Sequence, residues 1–172
     1  MSSKNRRTEH SQRFHDTATR LIADRRFGIP EWDVVTNPAL EENAALHGPE
    51  AVAYPDIVAR DDHGVIAIGE VETHETICDD SAAQWREFGE LCPRLYLFVP
   101  EGTEEAVAEL LDKHSICCAG LRTYSLDGDS EVEVESIRIS NGHFAREDHP
   151  WWLSLGGGLT ATQCAYRSRR IS

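Results

Sequence analysis

The chain reads as an α/β protein built on a mixed β-sheet flanked by helices. Apolar residues recur at helical spacing in some segments and form short β-branched runs in others. One run, Val65 to Thr73, is apolar on both faces until its acids begin, which places it inside a sheet. Strand, helix and strand follow one another from Val65 to Val99, a succession that implies a crossover to a parallel neighbour. At 172 residues, one domain with one buried core is expected.

Residues from about Thr8 to Arg26 carry Phe14, Ala18, Leu21 and Ile22 at helical spacing, with Gly28 and Pro30 closing the segment. Trp32 to Thr36 is a short strand ended by the turn dipeptide Asn37-Pro38. A loop containing His47, Gly48 and Pro49 leads to two apolar runs, Ile57 to Arg60 and Val65 to Thr73. Asp61-Asp62-His63-Gly64 between them has the turn chemistry of a hairpin. Asp79 or Asp80 is placed to cap a helix running through Trp85, Phe88 and Leu91 to Pro93, and Leu95 to Val99 is the next strand. Thr103 is placed to cap a helix with Glu104 and Glu105 in its first turn and Val107, Leu110 and Leu111 on one face. Leu121 to Leu126 and Val132 to Ile139 form two further strands across Asp127-Gly128, with a phase slip near Ser136 that reads as a bulge. The expected order is αβββαβαββ. Residues 1–142 form the domain, and residues 143–172, with Trp151-Trp152, three consecutive glycines and the Arg167, Arg169, Arg170 cluster, read as a flexible tail.

The net charge of −13 argues against a protein that grips nucleic acid through overall basicity. The basic residues are 15 Arg against Lys4 and Lys113, and acid in excess with little Lys suits a protein kept soluble at high salt. There the Debye length shrinks to about 3 Å at 1 M. The polar opening and the lack of any apolar run near the roughly 20 residues of a spanning helix predict a soluble, cytoplasmic protein with no membrane partner. Five cysteines without a Cys-x-x-Cys pair read as reduced thiols, and His74 and Cys78 read as loop residues rather than zinc ligands.

The acids at the end of the apolar strand carry the chemistry. If the hairpin turns about Asp62 and His63, Arg60 pairs with Val65, Val58 with Ala67, and Asp56 falls opposite Gly69, beside Glu70. Alternation puts Ile66, Ile68, Glu70 and Glu72 on one face and Val65, Ala67, Gly69 and Val71 on the other. Close carboxylates at a buried strand end repel one another unless paired, solvated or bound to a cation, and hard oxygen donors suit Mg²⁺ or Mn²⁺. The bland alternative is a solvated strand end beside a Pro-Asp turn.

Pro55-Asp56, a hairpin, then Glu70-Val71-Glu72 resembles the PD-(D/E)xK nuclease superfamily, whose restriction-endonuclease-like αβββαβ core matches the element order from about Thr8 to Val99. An αββ extension would follow. The resemblance implies that Asp56 and Glu70 bind Mg²⁺ or Mn²⁺, with the Val71 carbonyl as an additional ligand and no organic cofactor. Glu72 is the departure: it stands where the family usually has Lys, a variant motif E-x-E in which Glu72 accepts the proton of the attacking water or shares the metal. Arg60 and Arg86 are the nearest sources of the missing positive charge. Gln84 and Phe88 resemble a Gln-x-x-x-aromatic feature of some members that brings the Gln to the site. The first helix often adds an acid, and His15 or Asp16 stands near that position. The implied activity is hydrolysis of phosphodiester bonds in DNA, in restriction, repair or recombination, with a homodimer plausible for cutting two strands. Two rivals remain: a nuclease-like domain that binds nucleic acid or protein without cutting, and an acidic interaction domain.

Overall fold

A computed structural model describes residues 8–39, 41–49, 52–128, 131–140 and 143–147, with side chains described through residue 136. Helix α1 is Glu9–Ile22, and Thr8 caps it by accepting the Ser11 N–H at 3.2 Å. Its buried stripe is Ser11, His15, Ala18, Thr19 and Ile22, so Phe14 and Leu21 pack at the margin. The helix loosens into a π-helical turn, Ala23–Phe27, and stops at Gly28. A Cβ on Gly28 would stand 2.5 Å from the Asp24 carbonyl oxygen, which only glycine avoids.

The strands are β1 (Asp33–Thr36), β2 (Leu46–His47), β3 (Val52–Ala53), β4 (Ile57–Asp61), β5 (Gly64–Val71), β6 (Leu95–Pro100), β7 (Gly120–Asp127), β8 (Glu131–Ser140) and β9 (His143–Glu147). Helices α2 (Asp79–Leu91) and α3 (Glu104–Lys113) complete the chain order. Seven strands make one sheet in the order β1-β4-β5-β6-β7-β8-β9. The centre, β5-β6-β7, is parallel and is connected through α2 and α3, while both wings are antiparallel. The protein is therefore a mixed α/β fold, as its sequence pattern requires.

Each face of the sheet has its own core. Ile68, Leu95, Leu97, Val99 and Leu121 pack with Trp85 and Phe88 of α2 and Val107 and Leu111 of α3. Ile57, Ala67, Val71, Tyr96, Phe98 and Tyr124 pack with Ala18 and Ile22 of α1 and with Phe27. Ile57, Ile68, Leu95 and Leu97 are fully buried, each contributing about 1.5–3 kcal/mol before entropy is charged against it.

Several local expectations are corrected. The loop after β1 contains a two-stranded ribbon, β2 with β3, whose Leu46 and Ala53 join the α2-side core. Cys78, not Asp79 or Asp80, occupies the N-cap of α2, because the Asp79 carboxylate is drawn to Lys113 Nζ and His114 Nε2, each at 2.6 Å. Thr103 does hold the N-cap of α3, but its hydroxyl donates back to the Pro100 carbonyl at 2.7 Å instead of accepting from the helix. The β7–β8 register runs unbroken from Asp127↔Glu131 to Leu121↔Ile137, so there is no bulge at Ser136. His143–Glu147, assigned no structure from sequence, pairs with β8. The rest of that segment, residues 148–172 with its tryptophans and arginines, lies outside the described residues.

Candidate functional site

The hairpin turns at Asp62 and His63, and Arg60 faces Val65. Beyond that pair the register shifts: Ala59 faces Ala67, Val58 faces Ile68 and Ile57 faces Gly69. Ile66 is the extra residue of a β-bulge and packs on the α1 side, not beside Ile68 as strict alternation would place it. The one-residue shift moves Asp56 from opposite Gly69 to opposite Glu70. Two hydrogen bonds fix the juxtaposition: the Asp56 N–H donates to Glu70 Oε2 at 3.2 Å, and the Val71 N–H donates to Asp56 Oδ2 at 2.9 Å. Both carboxylates are buried, Asp56 at 8% and Glu70 at 5% exposure.

Two helices reach this pair from opposite sides. From α1, His15 Nε2 lies 3.0 Å from Asp56 Oδ2, and its Nδ1 lies 3.1 Å from Asp16 Oδ1. From α2, Gln84 Nε2 donates to Glu70 Oε1 at 3.1 Å. Sequence reasoning named His15 and Gln84 as members of the site, and the fold brings both to it. Both ring nitrogens of His15 face carboxylate oxygens, so a neutral ring serves only one of them as donor and an imidazolium serves both.

Glu72 has different company. Trp85 Nε1 donates to its Oε1 at 2.7 Å, and Thr76 donates through its hydroxyl to Oε2. Tyr124 donates its hydroxyl to the Glu72 carbonyl at 2.6 Å. Thr76 also closes the turn after β5, where its Oγ1 accepts the Thr73 N–H at 2.9 Å and its own N–H reaches the Thr73 carbonyl at 3.1 Å. At 2% exposure, Glu72 is a buried carboxylate supplied with donors by α2 and by that turn.

Other residues hold the scaffold. Asn37, expected only as a turn residue, is buried and donates through its side-chain amide to the carbonyls of Ala44 (2.7 Å) and Pro55 (2.6 Å). Its backbone N–H donates to the Asp56 carbonyl at 2.9 Å, so it fixes the Pro55-Asp56 corner. Its amide has two donors and an acceptor at one point, which an Asn-Pro pair in a sequence does not reveal. Asp16 feels burial, which opposes ionisation. Hydrogen bonds from His15, Gln12 and the Ala39 N–H outweigh it and hold the carboxyl below its ordinary value. Of the two arginines weighed as counter-charges, Arg60 donates to the Ala45 carbonyl at 3.2 Å and Arg86 is exposed on α2.

Mg²⁺ is usually bound by one or two carboxylates and keeps several of its waters. Asp56 and Glu70 supply hard oxygens of that kind side by side, and the Val71 N–H donates to Asp56 Oδ2. Among the described residues, no group of three or more His, Cys, Asp or Glu side chains is placed to hold a metal ion. Among them also, no helix is long and apolar enough to cross a membrane. The chain matches no family model, no curated protein and no solved structure.

Proposed function

We propose that this chain is a Mg²⁺- or Mn²⁺-dependent nuclease of the PD-(D/E)xK kind, hydrolysing phosphodiester bonds in DNA. The observation that carries the reading is the buried Asp56–Glu70 pair, contacted by His15 from one helix and Gln84 from the other. The element order supports it: α1, β1, β4, β5, α2 and β6 follow the αβββαβ sequence of that superfamily, with α3, β7 and β8 as the extension. When bound, the divalent ion would supply Lewis-acid stabilisation of the phosphate and a more acidic water. The chain's own residues do the rest. Asp56 and Glu70 hold the ion, the Val71 N–H and His15 orient Asp56, and Gln84 orients Glu70. Glu72 serves as general base only if its carboxylate is released from Trp85 or Thr76.

That last condition favours a second reading, a nuclease-like domain that binds nucleic acid or a partner protein without cutting it. Both Glu72 oxygens already accept hydrogen bonds, and the net charge of −13 adds no attraction to phosphate. The deciding experiment is cleavage of double-stranded, single-stranded and branched DNA with Mg²⁺ or Mn²⁺ from low to molar salt. Metal-dependent cutting that falls by at least about 100-fold in both Asp56→Ala and Glu70→Ala supports the nuclease. A folded protein that cuts nothing in any condition overturns it and leaves the binding domain. Sedimentation with and without DNA tests the homodimer expected of an enzyme that cuts two strands.

A further inference from the structure

His15 is not held by Asp56 alone. Its other ring nitrogen faces Asp16 Oδ1, and that same oxygen accepts Gln12 Nε2 at 2.7 Å and the Ala39 N–H at 3.1 Å. An oxygen that already accepts from two donors has no proton to give, so the proton between it and the imidazole sits on Nδ1, which lies 3.1 Å from Asp16 Oδ1 and 3.5 Å from Gln12 Nε2. Asp16 is held below the ordinary carboxyl value, burial opposing and these donors favouring its charge, which agrees with that assignment. The ring is 1% exposed, whereas the Asp16 side chain is 32% exposed at the rim. A continuous line therefore runs from the loop at Ala39 through Asp16 and His15 to Asp56 Oδ2, the oxygen that also accepts the Val71 N–H.

We propose that Asp16 is a positioning residue that acts through His15: it holds the Nδ1 proton and the ring's angle, and the ring, donating through Nε2, sets the Asp56 carboxylate for a divalent cation. The proposal rests on the nuclease reading of the Asp56–Glu70 pair and adds a residue that touches neither metal nor phosphate. A purely local role for Asp16, tying α1 to the loop after β1 through Ala39, would leave His15 and the cation indifferent to its loss. Outer groups of this kind commonly set metal affinity by about 10- to 100-fold. With His15 standing between Asp16 and the ligand, the low end, about 10-fold, is expected.

The test uses the full chain and its Asp16→Ala and Asp16→Asn variants. Nitrogen-15 NMR of the metal-free protein reads the His15 ring, and titration calorimetry with Mn²⁺ alone reads cation affinity. Urea unfolding of each variant reports the local structural contribution separately. Expected are a protonated Nδ1 in the natural protein, a changed ring signature with about 10-fold weaker Mn²⁺ binding in Asp16→Ala, and partial recovery in Asp16→Asn, which keeps an acceptor oxygen. An unchanged His15 signature in Asp16→Ala overturns the proposal, and so does unchanged Mn²⁺ affinity in a variant whose ring has moved. Absence of Mn²⁺ binding by the natural protein overturns the proposal and the metal-dependent reading together.

Discussion

Glu72 and Asp79 stand at the two ends of one short loop, yet their surroundings are opposite. Glu72 is 2% exposed and is met by an indole N–H and a hydroxyl, whereas the Asp79 side chain is 59% exposed and meets Lys113 and His114. Asp79 is pulled below its ordinary carboxyl value by hydrogen bonds from Lys113 and His114. A surface pair of that kind is screened by water and salt and adds little to stability. The buried acids are another matter. A carboxylate taken out of water costs several kcal/mol, and well-packed apolar residues in its place are often neutral or stabilising. The Asp79 cluster explains itself as a link between two helix ends, and the acids at the end of β5 do not explain themselves as stabilisers, so function is to be sought at β5.

The sharpest way to break the contrast is the pair Asp56→Ala and Glu70→Ala, which should remove metal-dependent cleavage by at least about 100-fold while leaving a folded protein. Retained cleavage would return these acids to the status of structural residues. Next comes Trp85→Phe, which keeps an aromatic side chain but deletes the N–H that meets Glu72 and leaves a small cavity beside it. Urea unfolding should show a loss of at least about 1–3 kcal/mol, the cost of a buried carboxylate short of a donor, with the cavity adding to it. A neutral result would mean that neither the donor nor the indole's packing holds Glu72 in place.

Asp16 provides a pH test. Its folded-state value is depressed, so its contribution to stability is present above the unfolded carboxyl value of about 3.9 and is lost as pH falls through the lower folded value. The stability gap between the natural protein and Asp16→Asn should be widest near neutrality and should close in acid; a gap independent of pH would show that charge is irrelevant there. The smallest effect is expected from Lys113→Ala, a minor drop in the unfolding midpoint at low salt that disappears in molar salt. A large, salt-insensitive drop would erase the distinction between the two acidic regions.

Most of the order of elements was legible because each carries a local signature: the apolar period of α1, the Asp-Asp-His-Gly turn between β4 and β5, and the run Leu95 to Val99. Asp56, Glu70 and Glu72 stood out at the end of the β4–β5 hairpin, whereas His15 and Gln84, in the middle of α1 and α2, were singled out only through the family resemblance. The β2–β3 ribbon was not, since two residues per strand leave no period to read. The N-cap of α2 was misjudged because Asp79 is claimed by Lys113 and His114 from a distant helix end, a competition that no local rule contains.

Local pattern alone established that this is a mixed α/β chain, that one strand is buried on both faces, and that acids stand at its end. Pattern suffices for those because period and burial are local properties of a strand or helix. The hairpin reading already made Asp56 and Glu70 neighbours; their exact register comes from the folded sheet. A single extra residue at Ile66 shifts the pairing so that Asp56 faces Glu70, and a one-residue slip reverses every side chain beyond it. The environment of each acid was decided in the same way: α2 turns Trp85 to Glu72 and Gln84 to Glu70, and α1 carries His15 to Asp56. Those contacts join residues far apart in the chain, and long-range packing, not local preference, fixes them.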